Sequence, residues 1–137
     1  MTHQQALSVL ASPLAVVEDA VRDVDRWPEF LLGLERVTRT SFGRYTFVVR
    51  DATTTREVAV AVTAHPAEHR FVWHALRGPR FDGEIRLAAV DASHTTVHLS
   101  LTADPAGFLA GLGELARISD TSTALLDLQR LEAFVTT

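Results

Sequence analysis

The sequence predicts one α+β domain: a first strand, two short helices, an antiparallel meander and a long terminal helix. Three observations carry this expectation. From Glu35 to Ala103 the apolar residues recur with a period of two, the mark of half-buried strands. Before that stretch, Pro13 and Pro28 punctuate the chain where helices start or stop. After Asp104 and Pro105 the apolar spacing turns helical and stays so to the end.

The elements follow in order. "QQALSVLAS" alternates, with Leu7, Val9 and Ala11 on one side, and reads as a strand. Ser12 followed by Pro13 is a helix start, a capping residue before a proline at the first helical position. "PLAVVEDAVRDV" continues as a short helix with Leu14, Val17, Val21 and Val24 at helical spacing. The next stretch, "RDVDRWPEFLLGLERV", cannot extend that helix because Pro28 interrupts it. Asp25 is the expected cap of a second short helix, with Trp27 and Pro28 in its first turn and a stop near Gly33.

The meander is read from side-chain parity. "RYTFVV" puts Tyr45, Phe47 and Val49 on one face, and "REVAVAVTA" does the same for Val58, Val60 and Val62. "HRFVWHALR" groups Phe71, Trp73, Ala75 and Arg77. "RFDGEIRLAAV" sets Phe81, Gly83, Ile85, Leu87 and Ala89 against Arg80, Asp82, Glu84 and Arg86. "HTTVHLSLTA" sets Val97, Leu99 and Leu101 against His94, Thr96, His98 and Ser100. Turn-forming clusters separate the runs, so five or six strands with short connections form an antiparallel sheet with one solvated face. The last segment, residues 106–135, reads as one helix of about eight turns. Ser119, Ser122 and Leu126 lie near its apolar stripe, and Gly107, Gly111 and Gly113 loosen its start.

Composition bounds the function. The 137 residues suit one domain, and 47% hydrophobic residues supply a core with material to spare for a lined cavity. A net charge of -4 without a basic run argues against nucleic acid and anionic membrane surfaces as partners. The absence of cysteine excludes disulfides, thiolate metal sites and a cysteine nucleophile, and fits a cytoplasmic location. The N-terminal residues show no signal-peptide pattern, and no apolar run is long enough to span a membrane.

Two stretches resemble a known family. "ASPLAVVEDAVRDVDRWPEFL", with its small residue and proline before one helix and its aspartate before a Trp-Pro-x-Phe segment, is similar to the opening of the SRPBCC or START-like superfamily, in its polyketide cyclase/dehydrase branch. "FVWHALRGPRFDGEIRLAAVDASHTTVHLSL" resembles the same branch, and "DPAG" before a long helix completes the likeness. The resemblance covers nearly the whole chain and implies a helix-grip fold of the START and birch-pollen-allergen type. In that fold a curved antiparallel sheet of six to seven strands wraps the long C-terminal helix, with two short helices after strand 1. An elongated apolar cavity lies between sheet and helix, and "WPEF" plugs one end of it.

The resemblance implies a hydrophobic small molecule as partner and two classes of function. One is a cofactor-free cyclase or aromatase that promotes aldol cyclisation and dehydration of a polyketide-like substrate, chemistry that depends on holding poised ketones in place. The other is a carrier for a quinone, isoprenoid or lipid. An acyl carrier protein and a homodimer stay open as further partners. Arg77, on the parity of Trp73 and Ala75, is the candidate to polarise a ligand carbonyl; the alternative is a solvated strand end. Tyr45 is the candidate proton donor; the alternative is a core tyrosine whose hydroxyl reaches the surface. Trp27, Phe30, Phe47, Phe71, Trp73, Phe81, Ile85 and Leu99 are the expected apolar lining. Ser119, Ser122 and Leu126 would face it from the helix, although the serines could equally bond the helix's own carbonyls. No metal is expected: His94 and His98 share a strand face at roughly 13 Å, too far for one ion.

Overall fold

The computed structural model describes residues 2–31, 34–51, 54–77, 80–103 and 123–136. Seven strands form one antiparallel sheet: β1 (Thr2–Leu10), β2 (Leu34–Ser41), β3 (Arg44–Asp51), β4 (Thr54–His65), β5 (Arg70–Arg77), β6 (Phe81–Asp91) and β7 (His94–Ala103). Their order across the sheet is β1-β7-β6-β5-β4-β3-β2. Strands β2 to β7 follow as a meander. Strand β1 crosses to the far side and pairs with β7, from Thr2 opposite Ala103 to Leu10 opposite Thr95. The architecture is a helix-grip, START-like fold, with helix α1 (Leu14–Arg22) after β1 and helix α2 (Thr123–Val135) at the C-terminus.

Burial sorts the meander as parity predicts. Phe47, Val49, Val58, Val60, Phe71, Trp73, Phe81, Ile85, Leu87, Val97, Leu99 and Leu101 are all buried and belong to one continuous core. Leu128 and Leu131 of α2 close that core from the concave side, together with Val17 and Val21 of α1. Periodic burial of this kind is the main driving force for such a sheet, at about 25 cal/mol for each Å² of apolar surface removed from water.

Leu7, Val9 and Ala11 share one face, which points outward, with Leu7 64% and Val9 53% exposed, while Ala6 and Leu10 face the core. Two local expectations are corrected. Ser12 is not the cap of α1. Its backbone carbonyl instead accepts a hydrogen bond from the buried Thr95 hydroxyl at 2.8 Å, and Pro13 takes the capping position with no side-chain cap bond. The second helix is one short 3₁₀ segment, Val24–Glu29, with Pro28 inside it. Tight 3₁₀ geometry suits so short a run, and Pro28, which has no N–H to give, helps to end it after one more residue.

Candidate ligand-binding face

The 3₁₀ segment brings Trp27 over the concave face of the sheet. Its indole Nε1 donates to the Val21 carbonyl at 2.8 Å, which ties the segment back to α1. A buried indole needs such a partner. The ring then stands at 64° to Trp73, with centroids 5.1 Å apart, and at 65° to Phe47 at 6.0 Å. Phe81 joins from β6, 5.9 Å from Phe47 and 6.1 Å from Trp73. Tyr45 extends the chain outward, 6.4 Å from Phe47. These edge-on and tilted pairs are the favoured arrangements of aromatic quadrupoles.

Most of the apolar residues singled out in the sequence are therefore brought together. Trp27, Phe30, Phe47, Phe71, Trp73, Phe81, Ile85 and Leu99 all lie in one buried cluster. Phe30 also packs against Phe134 of α2, at 5.8 Å. The expectations for Ser119, Ser122 and the Leu126 side chain lie outside the described residues.

Trp73 differs from Trp27 in one respect that sequence reasoning missed. Its Nε1 is buried and has no hydrogen-bond partner among the described residues. The ring lies flat on Gly83, where an added Cβ would come within 2.2 Å of the indole Cζ2. The internal glycine of β6 is thus the seat of Trp73, and only the period-two register between β5 and β6, Trp73 opposite Gly83, reveals it.

Arg77 does not share this face. Strand β5 slips by one residue against β4: Ala75 pairs with Val60, but Arg77 pairs with Ala59. Such a bulge flips every later side chain. Arg77 consequently sits with the outward-facing Ala59 and is exposed. Tyr45 is half-buried, opposite Arg39 on β2 and Val60 on β4. Burial, the largest influence, pushes its phenol above the ordinary value; Arg39 opposes the rise, and Asp25 and Asp23 reinforce it.

The histidines are spread over the surface. His69 bonds Glu18 of α1 through Nδ1 at 2.5 Å, His94 bonds Asp91 at 2.9 Å, and His98 approaches Gln5 at 3.2 Å. The Glu18–His69 contact was not foreseen. It pins α1 to the tight β4–β5 turn, where His69 takes a left-handed conformation, φ 51°.

A family profile described as polyketide cyclase / dehydrase and lipid transport matches residues 10–126. No curated protein matches significantly by sequence. Among solved structures, the Zhui aromatase/cyclase from a Streptomyces species superposes with a TM-score of 0.76 at 16% identity, covering 98% of this chain and 93% of that one. A START superfamily protein from Mycobacterium smegmatis gives 0.74 at 14% identity, covering 98% and 97%. The di-domain ARO/CYC StfQ from the steffimycin biosynthetic pathway gives 0.64 at 18%, covering 97% of this chain and 43% of that one.

Proposed function

The chain belongs to the polyketide cyclase / dehydrase and lipid transport family, and we propose that it binds a hydrophobic, polyketide-like small molecule whose carbonyl or hydroxyl oxygen accepts a hydrogen bond from Trp73. The observation that carries this reading is the buried, unpartnered indole Nε1 of Trp73. A buried donor without an acceptor costs about 1–3 kcal/mol, and native cores rarely keep one without a reason. A ligand oxygen supplies that reason. The face around it is apolar, which suits holding a hydrophobic compound in one orientation.

Turnover is a second reading, and Tyr45 favours it. A phenol raised by burial stays protonated through neutral pH and can donate to a developing enolate or alkoxide oxygen. The likeness to aromatase/cyclase structures supports aldol cyclisation with loss of water as the reaction to test. Arg77, exposed on the outer face, has no place in this version of the mechanism.

Calorimetric titration with a hydroxyanthraquinone tests the binding reading. Trp73→Phe should weaken binding about tenfold, the equivalent of one lost hydrogen bond. Unchanged affinity would remove Trp73 from the site. Tyr45→Phe separates the two readings: loss of cyclisation of a poly-β-ketone with binding retained supports turnover, whereas equal product profiles with and without protein leave binding alone.

A further inference from the structure

A recess opens at the end of the sheet covered by α1 and the 3₁₀ segment. It encloses about 730 Å³. Its floor is Val24, Tyr45, Val62 and Phe71, and three arginines stand around it: Arg22, Arg39 and Arg44. No carboxylate lines it among the described residues, although Asp23 and Asp25 lie near enough to act on Tyr45. In a chain of net charge -4, a cluster of guanidinium groups around one apolar recess is a local concentration of donors for an anion.

The arginines are differently engaged. Arg22 is held by Glu18 and Asp19, at 2.9 and 3.0 Å. Arg39 lies across from Tyr45 on the same sheet face, with its guanidinium 5.8 Å from the Phe42 ring. Arg44 has no ion-pair partner among the described residues and closes the two-residue turn, where Gly43 takes φ +72°. Phe42, at the tip of that turn, is 91% exposed. An isolated exposed phenylalanine beside two arginines makes an amphipathic rim: apolar surface for a ligand's body and guanidinium forks for its charge.

We propose that this recess binds an amphipathic carboxylate, its chain on Val24, Val62 and Phe71 and its head between Arg39 and Arg44. The volume falls within the range of small-molecule sites. Guanidinium forks match a carboxylate in two-point contact. The Tyr45 hydroxyl, on the same floor, offers the carboxylate a third donor. The lining shares Tyr45 and Phe71 with the face assigned above but does not include Trp73, so the two sites adjoin and Trp73 distinguishes them.

Decanoate is the probe, with decanol as its neutral counterpart and inorganic phosphate as a bare anion. Calorimetry should find decanoate binding at least tenfold more tightly than decanol. Arg39→Gln combined with Arg44→Gln should reduce decanoate affinity by tenfold or more, and both positions are exposed, so the fold is unaffected. Decanoate should also move Tyr45 ionisation to higher pH by cancelling the influence of Arg39; Tyr45 is the one tyrosine in the chain, so phenolate absorbance reports on it alone. Trp73→Phe should leave decanoate binding intact, whatever it does to the anthraquinone. Equal binding of decanol, an unaltered double variant, full displacement by phosphate, or loss of decanoate binding in Trp73→Phe would each overturn the assignment.

Discussion

Trp27 and Trp73 touch each other in the same core, both fully buried, yet they carry opposite hydrogen-bond ledgers. The indole of Trp27 is satisfied by Val21; that of Trp73 is not. Replacing either by phenylalanine removes a similar volume, so the difference between the two variants isolates the hydrogen bond. Trp27→Phe strands the Val21 carbonyl as well as losing a bond, while Trp73→Phe removes an orphan donor. Trp27→Phe is expected to be less stable than Trp73→Phe by about 1–2 kcal/mol in urea unfolding without ligand. Equal losses would mean that Trp73 is satisfied in solution. Gly83 is bound to the same ring. Gly83→Ala drives a methyl into the indole and should cost about 1–3 kcal/mol as overpacking, against a gain of a few tenths at an ordinary strand glycine. A variant as stable as the parent would mean that the Trp73 ring is seated elsewhere.

Elements were legible where the pattern was strong and illegible where one residue decides a face. The meander from β3 to β7 follows directly from alternation, and the Trp-Pro segment reads correctly as a break because Pro28 forbids a continuous helix. Strand β1 carries apolar residues on both parities, Ala6 and Leu10 against Leu7 and Val9, so alternation alone could not choose. The long-range pairing with β7 chooses instead. The face of Arg77 was illegible for a related reason: a single-residue slip in β5 is invisible in the sequence and sends the side chain to the other face. The orientation of β1 has a direct check. Leu10→Ala should cost about 2–5 kcal/mol, whereas Val9→Lys should stay within about 0.5 kcal/mol of the parent. A large loss from Val9→Lys, measured by chemical unfolding, would reverse the strand's faces.

At the scale of the whole molecule, the sheet joins the first strand to the last, β1 to β7. The order of elements and the aromatic cluster were legible, because each depends on local pattern. The arginine-rimmed recess was not, because Arg22 comes from a helix whose seat on the sheet is fixed by distant partners such as His69. Nor was the closure of β1 on β7, which the Thr95 hydroxyl reinforces through the Ser12 carbonyl, 83 residues away in sequence. Contacts of that separation form after the hairpins, since loop closure must precede their gain. The β2–β7 meander should therefore be assembled in the folding transition state while β1 is still undocked. Thr95→Val keeps the side-chain shape, removes the hydroxyl and leaves the Ser12 carbonyl unsatisfied, for a loss of about 1–2 kcal/mol. If β1 docks last, that loss appears as unfolding faster by about 5–30-fold with the folding rate nearly unchanged. Stopped-flow folding and unfolding across a denaturant series measures both limbs. A slowed folding limb would instead place the β1–β7 junction in the nucleus, and the meander would then assemble onto a sheet edge already closed.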